Sequence, residues 1–263
     1  MSNSMDWKLK WYNYVFSLKE LSEMREKGSQ KLRFGRSVVV ASDIARQYYC
    51  EKKVELSYLH GEVETEAKMI GSAAHENLLQ DAAEIKKEDL WKQIHGKQPT
   101  LALEMFILSK YRDVFIAGKP DSVLFHKGCP IILFEFKFSQ NTTSYATHHV
   151  QAKTYGMILE NMGFDTSRLF YAIVIADPKT KNVPELRKKA LDTIMQHGFK
   201  DAILTIENAT IHLHRYNRTE AENDIGWAIQ YWKNNREALP TNNPNKCLKC
   251  EYKSQCQLGF FSD

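Results

Sequence analysis

Within "GKPDSVLFHKGCPIILFEFKFS", residues 118–139, two carboxylates and an amine stand where they could act together on a phosphodiester. Asp121 and Glu135 supply the acids, and Lys137 follows Glu135 by two residues. The stretch alternates apolar and polar residues as a half-packed strand does, so Phe134, Phe136 and Phe138 point one way and Glu135 and Lys137 the other. A turn symmetric about Gly128 sets residues equally distant from it opposite each other. Asp121 then faces Glu135, with Cβ atoms about 5 Å apart. Two such carboxylates repel, and one pKa rises, unless a cation joins them. Mg²⁺ or Mn²⁺ would remove the repulsion and serve as a Lewis acid. Lys137 would orient the attacking water or stabilise charge developing on phosphate. The plain alternative is a solvated strand face on which Lys137 merely bridges the acids. The Gly118–Pro120 bend just before Asp121 argues for the site.

A second set of ligand-type residues lies in the tail. "CLKCEYKSQC" places Cys247, Cys250 and Cys256 within ten residues of turn-forming sequence. A closed site needs a fourth ligand. Cys129 falls in the proposed hairpin turn, where it would crowd the acids, so Cys50 in "QYYCEKK" is the better candidate. Spacing alone admits either Zn²⁺ or a [4Fe–4S] cluster.

The elements that must position these residues are readable from apolar periodicity. A helix over 6–27 ends at Gly28, and a strand or loop at "SVVVAS" leads into a short helix capped by Ser42 that ends near Cys50. A second helix spans 65–87 and carries Gly71 and His75; this histidine would join the acids only if Gly71 lets the helix approach the hairpin. "LALEMFILS", "VFIAGKPDSVLF" and "IILFEFKFS" read as three successive antiparallel strands. A helix over 144–161 presents Gln151 and Tyr155 on one face. The strand "RLFYAIVIAD", a basic helix over 184–197, the strand "TIHLHRY" and a helix over 219–238 follow. The tail must be held by something other than a core. The whole reads as one α/β domain with its ends brought together.

Composition narrows the setting. The chain has 263 residues, net charge +4 and five cysteines. That size supports a full core, and the basic balance is compatible with nucleic acid. No run is long enough for a membrane span and no secretory leader is evident, so reduced thiols in the cytoplasm are expected and a membrane partner is not. No phosphate-binding G-x-x-x-x-G-K-[ST] loop is present, so any DNA unwinding would come from a partner.

"GKPD", "FEFK" and "QAKTY", preceded by "GSAAHENL", resemble the motifs of the PD-(D/E)XK nucleases, specifically their RecB-like branch. The resemblance covers roughly residues 40–175 and the tail. It implies a restriction-endonuclease-like core, a central mixed sheet flanked by helices, in which His75, Asp121, Glu135 and the Phe136 carbonyl bind Mn²⁺ or Mg²⁺. Lys137 would be the catalytic lysine, and Gln151 and Tyr155 would lie beside the DNA backbone. One distant cysteine and three C-terminal ones around such a core are similar to the iron–sulfur nucleases, including the CRISPR-associated RecB-like nuclease of the spacer-acquisition module. That likeness selects a [4Fe–4S] cluster on Cys50, Cys247, Cys250 and Cys256. It also implies single domain organisation over 1–263, with a helical extension at 1–40, cluster-binding segments at 41–66 and 240–263, and a nuclease core at 67–239.

The expected activity is hydrolysis of single-stranded or end-containing DNA from an end, alongside CRISPR integrase proteins or a helicase. A free-standing repair exonuclease and a non-catalytic DNA-binding scaffold are the alternatives. Lys153, Tyr145, Tyr155 and Arg187–Lys189 are expected to grip the strand. The chain departs from the family in three places: "EKK" follows Cys50 where the family usually has proline and arginine, and the N-terminal helix and the segment 177–209 are longer than compact members need.

Overall fold

The computed structural model describes residues 4–28, 31–62 and 85–256. The expected helix over 65–87, with Gly71 and His75, falls almost wholly outside the described residues. Helix α1 (Ser4–Lys27) ends at Gly28, whose φ of 58° is easy only for glycine. The inner face of α1 packs Trp11 and Tyr14 against Trp91 of α4 (Lys87–Ile94). No described helix is long and apolar enough to cross a membrane.

The first two of the three expected strands are each divided, which corrects the simple meander, and the third is the single strand β6 (Cys129–Phe138). The first becomes β2 (Thr100–Leu103) and β3 (Ile107–Tyr111); the second becomes β4 (Val114–Gly118) and β5 (Ser122–His126). β1 (Val38–Val40), β4 and β3 form a small sheet in that order. A six-stranded sheet has the order β2-β5-β6-β7-β9-β8, with β6 (Cys129–Phe138), β7 (Phe170–Ala176), β8 (Ala202–Ile206) and β9 (Ala209–Arg215). Among the described strands of the large sheet only β6 and β7 run parallel, so the sheet is mixed as expected. "GKPD" is where the chain leaves the small sheet and enters the large one.

Helices cover both faces of the large sheet. α5 (Ala146–Asn161), the crossover from β6 to β7, packs Val150, Tyr155 and Ile158 over Leu133, Ile173 and Ile175. α7 (Arg218–Trp232) adds Ile225 and Ile229 to that core. On the other face α6 (Val183–His197) sets Leu186, Ala190 and Ile194 against Phe134, Phe136 and Val174. The alternation in "FEFKF" therefore divides its residues between two cores rather than between core and water.

Around Cys50 the expectation needs two corrections. α2 (Ala41–Gln47) begins after Val40 with no side-chain cap, so Ser42 lies within its first turn instead of capping it. Cys50 then stands at the N-cap of an unforeseen helix, α3 (Glu51–His60). The tail contributes α8 (Pro244–Leu248) and a short turn at Lys253–Gln255.

Candidate active site

The β5–β6 hairpin turns on Lys127 and Gly128, both with left-handed φ (51° and 77°), and pairs His126 with Cys129. Continued unchanged, that register would set Asp121 across from Phe134. It changes at a bulge: Phe125 pairs with Pro130, whereas Leu124 pairs with Ile132, leaving Ile131 as the extra residue. Ser122 therefore pairs with Phe134, and one step further Asp121 arrives opposite Glu135. The expected juxtaposition holds because of this bulge, not because the turn is symmetric about Gly128. A slip of one residue would have sent one acid to the far face.

Glu135 is 1% exposed and Asp121 6%, which excludes a solvated strand face. Lys137 Nζ donates to Glu135 Oε1 at 2.7 Å and to Gln151 Oε1 at 3.3 Å. Gln151 Nε2 in turn donates to the Tyr155 hydroxyl at 2.8 Å. The Phe136 backbone N–H donates to Asp121 Oδ2 at 2.6 Å. Glu135 Oε2 is buried with no hydrogen-bond partner among the described residues. Burial, then the charge of Glu135, holds the Asp121 carboxyl well above its ordinary value despite Lys137 and the Phe136 N–H. Burial works against the Lys137 ammonium, but Glu135 and Asp121 outweigh it and keep its pKa above that of a free lysine. A buried acid raised by its neighbour, beside an orphaned carboxylate oxygen, is a donor set that a divalent cation would satisfy.

Tyr155 is buried beneath Gln151, and it explains the glycine of "GKPD". A Cβ on Gly118 would stand 2.4 Å from the Tyr155 ring. Glu104, which the sequence reading passed over, belongs to the same corner. Its backbone N–H donates to the Asp121 carbonyl at 3.2 Å, and its carboxylate accepts from Lys119 at 2.6 Å. Its φ of 42° is costly for a side chain other than glycine. The visible signal was an acid interrupting apolar "LALEMF".

Other expected grips lie elsewhere. Lys153 pairs with Asp224 and Glu220 of α7. Arg187 is buried and Lys189 pairs with Glu185 and Glu207, both on or beside α6 across the sheet. Tyr145 is 49% exposed at the start of α5. His75 lies outside the described residues.

Four of the five cysteines lie around one cavity beyond the other end of α2. Cys50, Cys247, Cys250 and Cys256 line one cavity of about 30 Å³, and the Thr241 backbone N–H donates to Cys50 Sγ at 3.4 Å. Burial pushes the Cys250 thiol up. Cys129 remains in the hairpin turn, away from this cavity. Among the described residues no three His, Cys, Asp or Glu side chains are gathered closely enough to hold a metal ion as they stand.

The tail is fixed to residues 49–61 by ties that no sequence pattern announced. Tyr252 donates to the Gly61 carbonyl at 2.7 Å, Lys53 pairs with Glu251 at 2.8 Å, and Lys246 donates to the Tyr49 carbonyl at 3.1 Å. Glu51, in the departure "EKK", is buried and accepts from Arg236 Nη2 at 2.6 Å and from the Leu239 N–H at 2.9 Å.

No curated protein matches the chain. The crystal structure of SSO0001 aligns with 90% of the chain, and 94% of its own, at 13% identity and a TM-score of 0.48. The model of the PD-(D/E)XK nuclease superfamily matches residues 40–257, a span holding Asp121, Glu135, Lys137 and the helices α5, α6 and α7 that cover the large sheet. The chain belongs to the PD-(D/E)XK nuclease superfamily.

Proposed function

We propose that the chain is a Mn²⁺- or Mg²⁺-dependent deoxyribonuclease acting on single-stranded or end-containing DNA. One observation carries this reading: a buried Asp121–Glu135 pair in which Glu135 accepts from Lys137 and keeps a carboxylate oxygen with no described partner. The divalent ion would neutralise the pair and polarise the phosphodiester. Asp121 and Glu135 would hold it, joined by His75 and the Phe136 carbonyl as in the family pattern. Lys137 stands beside that position and presents an ammonium that can orient water or offset charge on the phosphate. Gln151 fixes Lys137, and Tyr155 fixes Gln151, so the amine keeps one orientation.

The cysteines fit a [4Fe–4S] cluster joining the two ends of the chain. Four thiols line one cavity, which supports a shared ligand there, and the motif resemblance favours the cluster over Zn²⁺. Trimming DNA ends before spacer integration, with integrase proteins as partners, is the biological setting that the motif resemblance favours.

The test is cleavage of end-labelled single-stranded DNA with Mn²⁺, comparing the natural protein with Lys137→Ala. Loss of cleavage in the variant alone supports the reading, and equal cleavage by both removes it.

A further inference from the structure

A groove leaves the Lys137 corner and runs along the start of α5 to the cysteine-bearing tail. Its first part, about 360 Å³, is lined by Lys137, Gln151 and Lys53. The second, about 660 Å³, is lined by Tyr145, Lys246 and Lys249. Tyr49, Thr147 and His148 line both parts, so the two are continuous. The basic groups differ in what they have left to offer. Arg46 is committed to Asp43 and Glu62, and Lys53 to Glu251. Lys246 and Lys249 have no described carboxylate within ion-pair distance. Lys246 Nζ sits 4.7 Å from the centre of the Tyr49 ring, with Lys53 Nζ at 5.0 Å from the same ring. The Tyr145 ring is half exposed, and the His148 ring lies edge-on to it, their centres 5.5 Å apart. His148 Nδ1 accepts the Tyr145 N–H at 3.3 Å, which leaves Nε2–H as the donor of that ring.

We propose that this groove is the track that holds single-stranded DNA behind the scissile phosphate, with Lys246 and Lys249 on its phosphates and Tyr145 under a base. The inference rests on the nuclease reading for the direction of the track, toward Lys137. Cations without carboxylate partners, spaced along a groove that also exposes an aromatic face, are the combination that unpaired nucleic acid uses. A duplex would leave Tyr145 no unstacked base to receive. The tail is then one wall of the track as well as a carrier of cysteines.

Binding of a fluorescein-labelled oligothymidylate of about 20 nucleotides, followed by anisotropy in EDTA, tests the track without catalysis. Lys249→Glu should weaken binding about 10-fold at low salt and lower the salt slope by about 0.7. Lys189→Glu makes the same charge change on α6, across the sheet, and should change neither. Tyr145→Ala should weaken binding about 5-fold, whereas Tyr145→Phe keeps the ring and should bind as the natural protein does. Melting temperatures check that each variant is folded. Equal effects of Lys249→Glu and Lys189→Glu, or no effect of Lys249→Glu and Tyr145→Ala, would overturn the track. Hydrolysis of bis(p-nitrophenyl) phosphate by the natural protein with Mn²⁺ reads the nuclease site alone, because that ester is too small to reach Tyr145. Failure there with the binding losses intact would remove the nuclease reading and leave the track.

Discussion

The acid corner and the cysteine end are both ligand-type clusters, yet they are built by opposite means. Asp121, Glu135 and Lys137 come from one hairpin, the acids buried and Lys137 partly exposed; strand pairing assembles them whether or not an ion is bound. The cysteines come from segments nearly 200 positions apart, lie at intermediate exposure, and are framed by a turn and a five-residue helix. The first site is made by register, which the surrounding sheet enforces. The second is made by a few side-chain ties and by whatever the thiols bind. A change at the first should therefore alter chemistry with little effect on the fold, and a change at the second should do the reverse.

The sharpest separation is between rate and stability. Lys137→Ala should lower kcat about 10²–10³-fold while far-UV circular dichroism stays unchanged, because it removes the charge proposed to act on the reacting group rather than a core side chain. A variant that instead melts early would show that the amine holds the corner together. At the cysteine end, Cys50→Ala should lower the melting temperature by on the order of 10 °C, since the proposed cluster would contribute directly to folding there. Cys129→Ala should change it by no more than about 2 °C. Equal melting of the two would break the contrast between the regions.

Glu51→Gln loosens the cysteine end without touching a thiol. It leaves Arg236 without its buried carboxylate and should cost about 3 kcal/mol in denaturant unfolding. Gly118→Ala acts at the acid corner through packing. Its methyl group meets the Tyr155 ring and should cost about 1–3 kcal/mol; with Tyr155 displaced, Gln151 and Lys137 lose their support and activity falls too. The smallest effect has the opposite sign. The Asp121 pKa is raised in the folded protein, so its contribution to stability is present at acid pH and is lost as pH rises through the folded value. Asp121→Asn should therefore raise the melting temperature in EDTA at neutral pH, with the gain shrinking as pH falls and the natural carboxyl takes up its proton. Added Mn²⁺ should close the gap from the other side by stabilising only the natural protein.

The legible parts of this molecule were those set by short-range pattern. Strand alternation placed Phe134 and Phe136 opposite Glu135 and Lys137, and helical spacing put Gln151 and Tyr155 on one face of α5. The illegible parts came from competition between sheets. Nothing local in "VFIAGKPDSVLF" says that its halves join different sheets, because each half alternates equally well. The basic residues showed the same limit. Lys153 and Arg187–Lys189 read as DNA contacts by type, but the face each occupies depends on which side of the sheet its helix packs.

Sequence alone determined which residues could do chemistry: two acids and a lysine on a hairpin, and four thiols at the two ends of the chain. Tertiary structure decided whether they meet. The extra residue at Ile131 set the register that joins Asp121 to Glu135, and its signal is weak because a bulge is stabilised by neighbouring strands rather than by its own side chain. Packing of α5 turned a polar strand face into a buried one. Contacts between residues 49–61 and the tail brought Cys50 to the other thiols and placed Lys246 and Lys249 along the groove, an outcome of long-range docking that no spacing encodes.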